Sequence, residues 1–485
     1  MKTNNKKIFQ NSAIFFSALL INGLFIDAGH AAQSSAACTS DEAQSVLSLL
    51  EATMAHNDYS KSPQPEWIQR RIATYEGQLA ALGCSTGAAS TGSGSTTGST
   101  STSTTGTASV SGGAGSGKKL AYNSTQLSDF LKTAKCGDTI VVQPGKYDQP
   151  IKADATCTSA KPLVIESTGR AKISNVVDLF GAGIVIRGFD FSGPDGRINL
   201  RGDDQKIVNN RFTGWAGMAV FLARGSNAEV AYNEFHNPAE WGLSTDDSYP
   251  LRIGVRSSHR EDEFHRGAHI HHNYFHDFPA KPSKNYHSGQ SDAIEVCFTG
   301  TLLESGFLIE DNLINRHLGG NGIVDIKCSN ATVKNNTVIN SPKGRIDLRY
   351  GANSVLMNNW IENSGGTVIR GGYHKVIGNV YINTNQSLAV AAGNDKWNAT
   401  GGQAEPQAYN VLLSGNKVDF LTIGKDYGSM PLPAIGTVVY KYANEKIYYE
   451  TQKSTTIKGG TRKDANDARK IGESEVGIKG FANAR

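Results

Sequence analysis

The chain has 485 residues, with 48 Lys and Arg against 44 Asp and Glu, a formal charge of +4 and 6 Cys. A charge that small over this length offers no basic surface for nucleic acid, and so few cysteines exclude a disulfide-framed scaffold. At the start, Lys2, Lys6 and Lys7 precede IFFSALLINGLFI, and AGHAAQ supplies small residues for cleavage near Ala31, so residues 1–31 read as an export signal. No Cys stands at the cleavage point to take a lipid, and no later apolar run reaches the roughly 18 residues of a membrane span. The expectation is a secreted or periplasmic monomer with no transmembrane segment.

Residues 32–84 carry two stretches with apolar residues at helical spacing, SDEAQSVLSLLEATM after the cap candidate Ser40 and PEWIQRRIATYEGQLAALG from Pro65. They read as a small helical hairpin that Cys38 and Cys84 close. Residues 85–119 are a Ser/Thr/Gly tether with nothing to bury. At its end GGAGSGKK imitates a phosphate loop, but Lys119 stands where Ser or Thr is needed and no strand precedes it, so nucleotide binding is set aside.

From residue 120 the sequence becomes periodic. STQLSDFLKTAKCGDTIVVQPGKYD reads as an amphipathic cap, with Cys136 and Cys157 a plausible disulfide. Short apolar strands then end repeatedly in an Asn turn: KIVNNRF, EVAYNEF, HIHHNYF, LIEDNLI, TVKNNTV, VLMNNWI and KVIGNVY. Their last Asn residues, 210, 233, 273, 312, 336, 359 and 379, step by 23, 40, 39, 24, 23 and 20. Short steps suit one rung of a parallel β-helix and long ones a rung carrying an inserted loop. No stretch between repeats has room for a crossover helix, and a propeller blade needs roughly 40 residues throughout. A short amide at this spacing tolerates a left-handed turn and can bond to the equivalent amide of the next rung. The expected fold is all-β, a single-stranded parallel solenoid over residues 120–430. Residues 431–485 lose the Asn rhythm and form an extension that packs on the solenoid or stays partly flexible.

Register relates two cations. Lys327 and Arg349 lie 22 residues apart, as do Asp325 and Asp347, beside Asn residues 23 apart. The phrases DIK and DLR therefore stack on adjacent rungs, each Asp on the side of its cation. Glu295 falls about one rung before Asp325, and Cys297 before Cys328; these cysteines read as buried thiols in preference to a disulfide. Spacing alone is also compatible with a solvated, self-paired surface.

With these phrases in view, the chain resembles the polysaccharide lyase family that contains alginate lyases and chondroitinase B. The resemblance runs from GDTIVVQPGKY and IVIRGFDFSG through KCSNATVKNNT, GRIDLRYGANSVLMNN and GGTVIRGGYHKVIGN. It implies a right-handed β-helix that cleaves uronic-acid polymers by β-elimination. By position it implies Lys327 as general base, Arg349 as charge stabiliser and Arg370 beside the substrate groove. Tyr350 stands where the family usually has His and is a candidate proton donor. Family members that use calcium bind it through a Glu-x-Glu strand before the lysine and an Asn of the previous rung. Here NGIVDIKC is two residues shorter, so Asp325 matches the second Glu while Ile323 occupies the place of the first. Asn321 and Glu295 are the candidate replacements, with Asp292 next, and Ca2+ is the expected ion. A lysine base must be neutral although free lysine titrates at about 10.4. Arg349, Arg370, calcium and partial burial are expected to lower its pKa, and Asp325 to oppose them.

The insertion RIGVRSSHREDEFHRGAHIHHNYFHD adds Arg256, His259, Arg260, His265 and Arg266 as a basic wall for an anionic polysaccharide. Its histidines match no compact zinc motif. Arg316 and His317 precede the proposed base, Arg316 as a substrate contact and His317 as an acid–base helper. Two other readings share the solenoid. One is a non-catalytic polysaccharide-binding or attachment module, and the other a β-helix glycoside hydrolase, which needs clustered carboxylates instead of a stacked Lys and Arg.

Overall fold

The computed structural model describes residues 118–239, 253–258, 263–280, 291–297, 303–320, 322–385, 388–391, 411–418, 420–423, 438–442, 445–449, 455–458 and 468–479, with the single positions 72, 76, 79 and 408. The chain divides into two compact units, Met1–Thr105 and Gly106–Arg485. In the first, Ile72, Glu76 and Leu79 are helical and Leu79 is buried. The remainder of the expected signal, hairpin and tether up to residue 117, with Cys38 and Cys84, lies outside the described residues.

The second unit is the expected right-handed parallel β-solenoid. A 14-stranded sheet forms one face, and a 21-stranded sheet folds over the rest, because strands such as Thr337–Leu348 pair along one half with Leu313–His317 and along the other with Gly322–Ile326. The first rung is closed by the helix Ser124–Thr133, whose Leu127 and Leu131 are buried and whose N-terminus is capped by Asn123 Oδ1 accepting from Gln126 N at 2.9 Å. Cys136 and Cys157 form a disulfide there. Parallel pairing continues past residue 430 to Val438–Tyr442, beyond which Glu445–Tyr449 and Thr455–Lys458 pair antiparallel and end the stack.

Two buried ladders hold the rungs in register. Phe191, Phe212, Phe235 and Phe275 stack inside with ring centroids 4.7, 4.7 and 4.6 Å apart, the spacing of neighbouring strands. The Asn ladder runs from Asn210 through Asn233, Asn273, Asn312, Asn336, Asn359 and Asn379, and extends one step further to Asn416. From Asn233 onward each Oδ1 accepts from both the backbone N and the Nδ2 of the preceding Asn, as Asn336 Oδ1 does from Asn312 at 3.1 and 2.9 Å. The ladder Asn does not itself take the left-handed conformation. That falls to the residue before it, at Asn209, Tyr232, His272, Asp311, Asn335 and Asn358.

Residues 468–479 lie across the outer face of the large sheet. Lys470 Nζ meets Glu362 at 2.8 Å, Ile471 N donates to Thr337 Oγ1, Gly477 N to His272 O and Lys479 N to Asn209 Oδ1. The segment thus runs back over the rungs in reverse order, with Ile471 and Val476 buried against Leu313. Among the described residues, no helix is long and apolar enough to cross a membrane.

Candidate active site

The strands Ile253–Ser257, Ile294–Val296, Gly322–Ile326, Thr337–Leu348 and Trp360–Ile369 lie side by side in the large sheet. Their register aligns Arg256 with Glu295, Glu295 with Asp325, and Asp325 with Asp347. Directly after these strands come Lys327, Arg349 and Arg370, whose backbone N atoms donate to Val296 O, Ile326 O and Leu348 O of the preceding rung. The stacking of DIK on DLR is thus present, with an acidic column beside a cationic one. The turn after the cations needs glycine. Gly351 and Gly371 have φ of +73° and +81°, and a Cβ on either would lie 2.4 Å from the backbone of the previous rung.

Like charges directly opposite one another are unfavourable, and cations resolve the conflict. Lys327 Nζ pairs with Glu295 Oε1 and, at 3.2 Å, with Asp325 Oδ2. Arg349 reaches the same Asp325 oxygen at 3.3 Å, and Arg256 Nε holds Glu295 Oε2 at 2.8 Å. Arg345 grips Asp347 with two bonds, of 3.1 and 2.9 Å. Lys327, Glu295 and Asp325 are all buried, whereas the Arg349 side chain is 31% exposed. Lys327 forms the floor of the site and Arg349 its open side.

The expected depression of the Lys327 pKa is not what this arrangement gives. Burial does favour the neutral amine, and Arg349 pushes the same way, but Asp325 and Glu295 outweigh both and hold the pKa above the ordinary lysine value. Asp325 is pushed up by burial and pulled further down by Lys327 and Arg349, ending below the usual carboxylate value. Asp292 is driven well above it by burial and by the nearby charges of Glu295 and Asp325.

Asp292, Glu295 and Asp325 each offer an oxygen within 4.8 Å of the others. Both Asp292 oxygens, Glu295 Oε2 and Asp325 Oδ1 accept no hydrogen bond among the described residues, Glu295 Oε2 having Arg256 beside it as an ion pair only. Three buried carboxylates with orphaned oxygens are a donor set suited to a hard divalent cation such as calcium. Asn321, the other expected ligand, lies outside the described residues.

The remaining expected site residues separate. Arg370 stacks on Arg349 as expected but is 2% exposed. Tyr350 is half-buried, its ring centroid 5.9 Å from the Arg349 guanidinium. His317 is fully buried, stacked 4.3 Å from Phe278, and burial lowers its pKa to about 3, so its ring is neutral. Arg256 is buried on Glu295 instead of lining an outer wall. His265 is buried in the short strand His265–Arg266, its Nε2 accepting from Ala228 N and its Nδ1 lying 3.1 Å from Arg224 O. Arg266 is exposed over the Phe264 ring at 4.8 Å. Arg316 is exposed and bidentate on Asp277, at 2.6 and 3.1 Å. His259 and Arg260 lie outside the described residues. Cys297 and Cys328 are disulfide-bonded, which corrects the expectation of free thiols; adjacent rungs bring their Cα atoms to 5.9 Å. The residue missed by sequence reasoning is Arg345. Its signal was present in GRIDLR, where strand alternation puts Arg345, Asp347 and Arg349 on one side.

A family profile described as chondroitinase B matches residues 121–396. Among solved structures, a PL6 family polysaccharide lyase from Pseudopedobacter saltans superposes with a TM-score of 0.55 at 18% identity, covering 74% of this chain and 99% of that one. A mannuronic acid specific family 6 lyase from human gut microbiota gives 0.53 at 18%, with coverages of 67% and 79%. A variant of the PL6 family alginate lyase AlyGC gives 0.57 at 15%, with coverages of 75% and 58%. At these identities the likeness is one of fold. No curated protein matches the sequence significantly.

Proposed function

The chain belongs to the polysaccharide lyase family that contains chondroitinase B and the alginate lyases, and on that premise we propose that it cleaves a uronic-acid polysaccharide by β-elimination with Lys327 as the base. The observation that carries this reading is the stack of Lys327, Arg349 and Arg370 on successive rungs beside the buried column of Glu295, Asp325 and Asp347. Loss of the C5 proton of a uronate builds negative charge on the adjacent carboxyl group, so positive charge aimed there is the main catalytic contribution. Lys327 Nζ takes that proton, the electron pair becomes the C4–C5 double bond, and the C4–O bond breaks. Tyr350 gives the leaving oxygen its proton, and Arg349 meets the uronate charge from the open side of the site.

Turnover requires Lys327 to leave Glu295 and Asp325 and to lose its proton, since these carboxylates hold it as the ammonium. Asp292, Glu295 and Asp325 are the residues that would hold calcium, which when bound supplies positive charge against the uronate carboxylate.

The acidic column also supports a second reading, a hydrolase using paired carboxylates. It is weaker because Glu295, Asp325 and Asp347 are each engaged by a cation. Incubation with alginate, polyglucuronate, pectate and dermatan or chondroitin sulfates separates the readings. A lyase yields the ultraviolet absorbance of an unsaturated uronate, a hydrolase yields new reducing ends without it, and a binding module yields neither.

A further inference from the structure

We propose that Arg256 is a positioning residue for this reaction: by holding one oxygen of Glu295, it fixes how the other meets Lys327. The inference rests on the functional reading above and assigns Arg256 a task different from polymer contact. Its side chain is only 7% exposed and is committed to Glu295.

Three observations converge on this role. Parallel pairing sets Arg256 directly beside Glu295, one strand away from it and two from Asp325. Glu295 then has a cation at each oxygen, Arg256 Nε as an ion pair 2.8 Å from Oε2 and Lys327 Nζ hydrogen-bonded to Oε1. Finally, Arg256 is itself held from behind, with Nη1 3.9 Å from Met218 Sδ on the preceding rung. A carboxylate with a cation at each oxygen resists turning both oxygens toward one of them. Without Arg256, the Glu295 carboxylate would be free to turn both oxygens onto Lys327, which tightens the grip that the base has to escape before it can act. A guanidinium carries its charge on a rigid plane beside the carboxylate, and lysine supplies the charge without that shape.

An arginine that merely stabilises the fold would also be buried and paired, so the test must read more than stability. The four proteins of a double-mutant cycle, wild type, Arg256→Gln, Glu295→Gln and the double variant, are assayed for kcat, KM and thermal unfolding, with Arg256→Lys alongside. Expected for Arg256→Gln is a fall in kcat of about tenfold to a hundredfold, as for partners that orient site ligands, with KM changed less than about twofold. Arg256→Lys recovers part of the loss and guards against a failure of Arg256→Gln to fold. In the Glu295→Gln background, Arg256→Gln has little further effect on kcat. A raised KM with unchanged kcat would overturn the proposal and return Arg256 to polymer binding, and so would full additivity of the two substitutions. Should the wild type cleave no uronan, the functional reading fails on its own account. Unfolding midpoints of the same cycle then decide the Arg256–Glu295 coupling, and additive midpoints would overturn it.

Discussion

Replacing Asn336 with Ala tests whether the buried amide ladder holds the solenoid together. Asn336 is 1% exposed, and its Oδ1 is the acceptor for both the backbone N and the Nδ2 of Asn312. Its own Nδ2 donates to Ile309 O and Lys334 O at 2.9 Å and to Asn359 Oδ1 at 3.0 Å. Alanine keeps the backbone bond from Asn336 N to Asn359 Oδ1 but removes the acceptor of the buried Asn312 N, whereas Asn312 Nδ2 retains Ile270 O and Glu310 O. A buried group left unsatisfied costs about 1–3 kcal/mol, which is the expected loss. The control is the adjacent Asn335→Gly, at a φ of +58°, where glycine is tolerated and the change should stay within about 1 kcal/mol. Urea unfolding followed by tryptophan fluorescence compares the two, because Trp360 N donates to Asn336 O from the adjacent rung. A loss for Asn336→Ala no larger than that for Asn335→Gly would refute the reasoning and leave the ladder a by-product of the stacked aromatic core.

Removing the Cys297–Cys328 bond by paired Ser substitutions opens a loop spanning 31 positions and should lower stability by about 3–4 kcal/mol; unfolding midpoints that are unchanged, and equally insensitive to reductant, would show that the bond is not made. His265 and His374 are buried with pKa values lowered to about 4, burial being the dominant cause, and each ring accepts a backbone N–H as the neutral form. The unfolded chain binds protons at these positions from about pH 6.5 downward, so their contribution is complete above that pH and is lost as pH falls toward about 4. His374→Gln should flatten the decline, as read from unfolding midpoints across that range. Calcium at a hundredfold its dissociation constant should stabilise the wild type by about 2.7 kcal/mol, and Asp325→Asn should abolish the shift; equal shifts in both proteins would place the ion elsewhere.

How much of this was legible in the sequence depended on whether a residue's role repeats. Asn210 to Asn379 could be placed because each rung sets the same buried amide demand, and the same period carried Lys327 onto Arg349 and Asp325 onto Asp347. The left-handed turn was assigned one residue too late, because in KIVNNRF and TVKNNTV both positions are Asn and only the three-dimensional path distinguishes them. Inserted loops break the period. Arg256 and His265 flank one, and although sequence reading recognised their charge, it could not tell that Arg256 turns inward to Glu295 or that His265 is buried to accept the Ala228 backbone N. Cys297 and Cys328 were correctly set on neighbouring rungs, but a stacked thiol pair and a disulfide share that spacing. The Lys327 pKa shows the same limit. Asp325 and Arg349 were expected beside it, but Glu295 was not, and the balance between burial and two carboxylates depends on distances of a few ångströms.

Lys327→Ala provides the most direct test of the central claim, with kcat followed by the ultraviolet absorbance of the unsaturated product and affinity for the same uronan oligosaccharide measured by calorimetry. If Lys327 removes the C5 proton, turnover should fall by about three orders of magnitude or more while the dissociation constant changes only a few-fold, since the lost interaction belongs to the transition state. Near-normal turnover in a folded Lys327→Ala protein would contradict the account and leave the stacked cations as a self-paired surface on a lyase whose base lies elsewhere.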